Sequence, residues 1–263
     1  DIFAWQSLAA IQRQQGQLQQ ALISLDSALS LAPTMLELLL EKSDICDALR
    51  ELKLQSQTLE QARLINPEDS RVAIRLGMLA LNEARYNDAI PLLQAAQQNP
   101  ELAALAHYGL GKAHYELGDA QQAQYELEQA TQLNPKALEA LGLLLMVHLH
   151  ACNWRGLPTL IERVRTLVAA EKGTRFPPFV FLATGASLEE ILDCAQKYST
   201  NVIKPLVNAV STQLTPKLYQ DHNKIRLGYI SGDFREHPLA RLVAEMFELH
   251  DRDRFEVYAY CYS

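Results

Sequence analysis

The sequence predicts a mainly α chain: a superhelix of stacked helix pairs, then a helical adaptor, then the first β-α-β unit of a doubly wound parallel sheet. Three observations carry this expectation. Prolines Pro33, Pro67, Pro100 and Pro135 recur at intervals of 34, 33 and 35, a period that signals a repeat array. Beyond the array, helical spacing of apolar residues continues without the repeat signature. From Lys224 the pattern changes to a compact apolar run that reads as a strand. The three segments are placed at 1–150, 151–223 and 224–263.

Composition agrees with this division. Of the 263 residues, 48% are hydrophobic and 21% charged, which excludes wholesale disorder. The formal net charge of −7 is unevenly spread: residues 1–135 hold 9 Lys+Arg against 17 Asp+Glu, and residues 136–263 hold 15 against 14. The longest apolar run, Leu141 to Val147, stops at His148, far short of the ~20 residues of a membrane-spanning helix. No basic run or stripe offers a nucleic-acid surface. Cys46, Cys152, Cys194 and Cys261 form no CxxC pair, so neither a metal site nor a disulfide framework is expected, and scattered thiols suit a reducing cytoplasm. The chain begins Asp-Ile-Phe and shows no signal segment, so it reads as a piece of something longer.

Aligned on the prolines, other positions coincide. The first repeat gives Trp5, Leu8, Ala9, Gly16, Ala21, Leu25, Ala28 and Pro33, and the fourth gives His107, Leu110, Gly111, Gly118, Ala123, Leu127, Ala130 and Pro135. The third matches through Leu76, Gly77, Ala84, Ala89, Leu93, Ala96 and Pro100. Small residues at Ala9, Gly77 and Gly111, facing Ala21, Ala89 and Ala123, let two helix backbones approach. Gly16 and Gly118 suit the turn, where a positive φ is cheap for glycine. Pro91 is assigned to a first helical turn, where its missing N–H is unpaired anyway. The second repeat is degenerate: it keeps Ser43, Ala62 and Pro67 but has Arg50 and Gln55 where Gly and Ala are usual. A fifth, divergent unit runs from Lys136 through His150.

This pattern resembles the 34-residue tetratricopeptide repeat. The resemblance implies a superhelix whose first helices line a groove for an extended peptide, with Gln6, Arg13, Asp44, Asn82, Tyr108, Lys112 and Tyr115 as groove candidates. The other reading of each is a solvated polar residue. The resemblance also allows a homodimer through the repeats. His107 and His114, seven apart on one helix, lack a third ligand, so packing or capping is expected of them and not metal binding.

After the array come Cys152-Asn153-Trp154, a helix from Leu157 to Ala170, the break Arg175-Phe176-Pro177-Pro178-Phe179, and a helix from Leu188 to Tyr198 with Ser187 as N-cap and Glu190 three residues on. Trp154 and the aromatics from Phe176 to Phe181 are expected in the core. Pro216 and the polar residues from Gln220 lead into the strand Ile225–Ser231. The loop 232–238, a helix from about Leu239 to His250, and a β-rich run from Phe255 to Tyr260 follow. Ligands of such sheets bind at the carboxyl ends of strands. The loop lacks G-x-G-x-x-G, so NAD or FAD has little support. It offers His237 before Pro238 at a helix start. A neutral imidazole there can accept a proton or donate a hydrogen bond to a sugar or phosphate oxygen. The alternative is a loop histidine that only caps its helix.

The phrase Ile225-Arg226-Leu227-Gly228-Tyr229-Ile230-Ser231-Gly232-Asp233-Phe234-Arg235-Glu236-His237-Pro238, with Phe255 to Tyr260 behind it, resembles the start of the catalytic region of O-GlcNAc transferases and SPINDLY-like proteins, glycosyltransferase family 41. The resemblance implies a two-lobed Rossmann-like fold and inverting transfer of a sugar from a nucleotide-sugar donor such as UDP-GlcNAc to Ser or Thr hydroxyls, without metal or cofactor. It places Ser231, Gly232, Asp233, His237, Pro238 and Arg241 by the active site, with His237 positioning donor or acceptor or serving as base. Two departures stand out. Many relatives carry a second histidine where Arg241 stands. The asparagine ladder of animal relatives is replaced by residues such as Ser7, Arg75 and Gly109. The alternative reading is a non-catalytic repeat scaffold that binds peptides.

Because the donor-binding lobe of the family lies beyond the residues matched, the 263-residue chain alone is expected to transfer no sugar. Incubation with UDP-GlcNAc and a Ser/Thr peptide, read by mass spectrometry, checks this, and a glycosylated product overturns it.

Overall fold

Five helix pairs account for residues 2–170 of the structure, a computed structural model in which residues 1–210 and 223–262 are described. The pairs are α1 (Ile2–Gln14) with α2 (Leu18–Leu31), α3 (Leu36–Leu49) with α4 (Leu52–Ile65), α5 (Ser70–Asn82) with α6 (Tyr86–Gln97), α7 (Ala103–Glu116) with α8 (Ala120–Leu133), and α9 (Leu138–His150) with α10 (Leu157–Ala170). The second helix of each of the first four pairs packs on the first helix of the next. Pro216 and the lead-in from Gln220 to His222 lie outside the described residues.

A single backbone conformation repeats through the array. Gly16, Arg50, Ala84, Gly118 and Cys152 all have positive φ, at 76°, 61°, 56°, 81° and 50°, and each follows the last by 34 residues. The next residue donates its N–H five residues back in every case: Gln17 to Gln12, Glu51 to Cys46, Arg85 to Ala80, Asp119 to His114 and Asn153 to His148, at 2.8–2.9 Å. This 6→1 bond is the Schellman closure, which satisfies a helix's last carbonyls and reverses the chain. The fifth pair is therefore regular up to its turn. Its second helix starts five residues after Cys152, where the others start two residues after their turn residue. The extra residues include Gly156, also at positive φ. The helix Leu157–Ala170, assigned to the adaptor from sequence, is the second helix of this pair.

Close contact between paired helices needs the small residues. A Cβ on Gly77 would lie 2.8 Å from the Leu93 side chain, and one on Gly111 2.6 Å from that of Leu127. Ala9, Ala21, Ala89 and Ala123 are fully buried in matching places. Pro91 departs from expectation. It is the sixth residue of α6 and lies inside the helix, because the turn at Ala84 starts α6 at Tyr86. The helix lacks one interior N–H there.

The core is segmented. Separate buried clusters form around Leu25, Leu38 and Cys46, around Leu39, Leu59 and Leu79, and around Leu81, Leu93 and Leu110. The last cluster joins α8, α9 and α10 to Phe176, Phe181 and Cys194. It thus carries the end of the array into α11 (Pro178–Leu182) and α12 (Leu188–Tyr198). A capping box starts α12: Ser187 Oγ accepts from Glu190 N at 3.3 Å and Glu190 Oε2 accepts from Ser187 N at 2.7 Å. A π turn, Ser199–Ile203, leads to α13 (Lys204–Val210). Of the adaptor aromatics, Phe176 and Phe181 are buried, but Trp154 is 64% and Phe179 78% exposed. Trp154 sits in the lengthened turn before α10, and Phe179 faces away from Phe181 on a one-turn helix.

The array and adaptor form one compact unit, Asp1–Ala209, and the rest a second, Val210–Ser263. In the second, β1 (Ile225–Ser231) and β2 (Phe255–Cys261) pair in parallel with Ile225 opposite Phe255 and Ser231 opposite Cys261, with α14 (Pro238–Glu248) between them in sequence. This is the expected β-α-β unit. Tyr229 of β1 and Phe247 of α14 pack edge to face at 5.0 Å, fixing helix against sheet.

The turn conformation has a measurable cost where the residue is not glycine. Ala84→Gly should raise stability by about 0.5–1 kcal/mol and Gly118→Ala should lower it by about 1–2 kcal/mol. Urea unfolding of both variants checks the pair, and effects of equal sign would refute the account.

Candidate functional site

The loop after β1 is held from three directions. Ser231 Oγ accepts from Asp233 N at 3.0 Å, bending the chain as it leaves the strand. Phe234 packs on Phe247 of α14 at 5.6 Å. His237 then caps α14: its Nδ1 accepts from Leu239 N at 3.2 Å, and Pro238 occupies the first helical position. Asp233 Oδ2 stands 3.9 Å from the same Nδ1. A Cβ on Gly232 would meet the Tyr262 ring at 3.1 Å, so the loop passes close to the residue after β2. Arg241 is exposed and paired with Glu236 at 3.0 Å.

The loop thus brings Ser231, Gly232, Asp233, His237 and Pro238 together at the carboxyl end of β1, and Arg241 lies in the first turn of the helix they cap. The imidazole has one nitrogen engaged with the backbone and the other directed away from that bond. The apolar residues of α14 divide: Val243 and Phe247 are half-buried, while Leu242 is 80% exposed.

The groove candidates fall into three groups. Gln6 and Arg13 line a cleft of about 310 Å³ with Phe3 and Ile45, and Gln6 Nε2 donates to Glu41 Oε1 at 2.6 Å. Asp44 and Asn82 line a second cleft of about 330 Å³. Asp44 grips Arg75 there with two hydrogen bonds of 2.7 and 2.9 Å, so one of the residues replacing the ladder is itself an ion-pair partner. Tyr108, Lys112 and Tyr115 share α7. Burial, reinforced by the charge of Glu139, raises the Tyr108 phenol above its ordinary range. Tyr115 bonds His150 Nδ1 at 2.9 Å and stacks on its ring. Gly109, by contrast, is buried against Leu93 and Met78, not presented in the groove.

The histidines of α7 have separate partners. His107 Nδ1 lies 2.7 Å from Glu126 Oε2 within a partly buried set that includes Gln97 and Gln122, and His114 lies 3.7 Å from Asp119. Among the described residues no three His, Cys, Asp or Glu side chains come together as metal ligands, and no helix is long and apolar enough to cross a membrane. Sequence reasoning did not single out Glu41, Asp47 or His150 as groove neighbours. Nothing in the repeat pattern marks them.

Comparisons with known proteins agree with both halves of this description. Residues 194–263 match the family model described as Glycosyl transferase family 41, and residues 4–35 and 104–137 match tetratricopeptide repeat models. The probable UDP-N-acetylglucosamine–peptide N-acetylglucosaminyltransferase SEC of Arabidopsis thaliana is 26% identical over 43% of this chain and 12% of its own length. The Caenorhabditis elegans UDP-N-acetylglucosamine–peptide N-acetylglucosaminyltransferase is 41% identical over 17% of this chain and 4% of its own. The CTR9 homolog of Arabidopsis thaliana is 23% identical over 76% of this chain and 17% of its own. The chain therefore spans less than a fifth of the curated relatives it matches. Among solved structures, PilW, a type IV pilus biogenesis factor, aligns with a TM-score of 0.62 at 17% identity over 81% of this chain and 98% of its own. That likeness concerns the helical fold alone. The chain is a tetratricopeptide-repeat protein similar to O-GlcNAc transferases, related to glycosyltransferase family 41 through residues 194–263.

Proposed function

We propose that this chain carries the repeat array and the opening of the catalytic region of a protein O-glycosyltransferase. In the whole protein, GlcNAc passes from UDP-GlcNAc to Ser or Thr hydroxyls of acceptors held by the repeats. The observation that supports this most is the coincidence of the family match with the β1–loop–α14–β2 unit, whose loop gathers polar groups where open parallel sheets bind ligands.

In this reading His237 is a hydrogen-bond donor and not the base. Leu239 N–H occupies the lone pair on Nδ1, so the neutral ring carries its proton on Nε2. The ring is 41% exposed, and an Nε2–H edge suits an oxygen of the sugar, the diphosphate or the acceptor. The acceptor hydroxyl then loses its proton to a different base. Arg241, one turn along α14, adds a cation for the diphosphate, partly offset by Glu236.

The test is turnover by the native gene product with UDP-GlcNAc and a Ser/Thr peptide. His237→Ala should lower kcat about 10²-fold or more. His237→Gln, whose amide N–H stands in for Nε2–H, should retain clearly more. Equal loss in both variants would make His237 a base, and unchanged turnover in His237→Ala would remove it from the site. A native gene product that transfers no sugar but binds peptides would leave the scaffold reading.

A further inference from the structure

The second cleft differs from its neighbour in one respect that bears on what it holds. At the place of Ala21, Ala89 and Ala123, each wholly buried, the second pair carries Gln55. Its side chain is 5% exposed, lines the cleft, and its Oε1 accepts no hydrogen bond. Among the described residues Ser43, on α3 at the place of Gly77 and Gly111, is the other buried side chain with an unpaired oxygen. A buried acceptor without a donor costs stability, and the equivalent alanine would avoid that cost. The arrangement suits a ligand that supplies the donor.

The rest of the lining indicates the kind of donor. Asp47 is exposed at the edge of the cleft and makes no ion pair among the described residues. The charge of Asp44 is offset by Arg75. With Asp44, Asp47 and Arg75 the cleft carries a formal excess of one negative charge, within an array segment that is itself strongly acidic. Met78, Leu102 and Leu105 supply an apolar wall. A side chain with an aliphatic stem and an ammonium head matches both kinds of surface.

We propose that this cleft is a subsite for a lysine side chain of the peptide held by the repeats, its stem along Met78 and Leu105 and its ammonium toward Asp47 and the Gln55 amide. This rests on the reading of the first-helix face as a peptide groove.

The test is NMR titration of the 263-residue chain with acetylated, amidated Ala-Ala-Lys-Ala-Ala, and with the same peptide carrying norleucine or glutamate at the centre. The lysine peptide should shift signals of Asp44 to Asp47, of Ile74 to Asn82, and of the Gln55 side-chain amide. The norleucine and glutamate peptides should bind at least about fivefold more weakly, as should the lysine peptide to Asp47→Asn. Gln55→Met should melt higher than the parent and bind the lysine peptide about fivefold more weakly, which separates lost recognition from lost folding. Equal affinity for lysine and norleucine peptides, or a Gln55→Met variant of unchanged affinity, would overturn the subsite. Shifts confined to Gln6, Arg13 and Lys112 without lysine preference would overturn it too, while leaving the groove reading in place. No shift on any first helix with any of the peptides would overturn both.

Discussion

Everything in the first unit depends on a left-handed residue closing each helix pair. The 6→1 hydrogen bond that follows it satisfies a carbonyl that water would otherwise have to reach, and it turns the chain back with a fixed offset. That offset decides which side chains of the two helices meet. It is why Leu93 lies over Gly77 and Leu127 over Gly111. The conformation is held even where the residue resists it, at Arg50, Ala84 and Cys152. Packing of two helices over their full length outweighs ~1–2 kcal/mol of local strain at one residue.

The second unit uses a different device for the same end. A parallel β-α-β crossover cannot be closed by a tight turn, so its loop is organised by side chains: Ser231 at the strand end, Phe234 on the helix, and His237 at the cap. The groups that shape the loop are also the groups it presents. The bond from Leu239 N–H to Nδ1 of His237 is a by-product of starting a helix, and it ties the orientation of the imidazole to α14.

Much of this was legible in the sequence. The strand Ile225–Ser231 and the helix Leu188–Tyr198 with its capping box were written in local residue choice, where alternation, capping residues and proline act within a few positions. The repeat period showed the helix pairs. What escaped was set at longer range. Cys152 has no preference for positive φ, so the fifth turn and the lengthened link to α10 left no mark at that position. Pro91 looked like a first-turn residue because proline favours that place, yet the period put it inside α6. Trp154 and Phe179 are apolar but lie on a turn and on the outer side of a one-turn helix, where they stay exposed. At the site, the His-Pro pair foretold a helix start. Which ring nitrogen would meet the backbone could not be read, because it depends on a side-chain rotation.

The segmented core has a mechanical meaning. Since each buried cluster spans only neighbouring helix pairs, bending the array never requires one large interface to yield at once. Small rotations between successive pairs add up, each against a short-range restoring force. The array is therefore an elastic ribbon, and its groove can change pitch to follow a ligand without any pair unfolding.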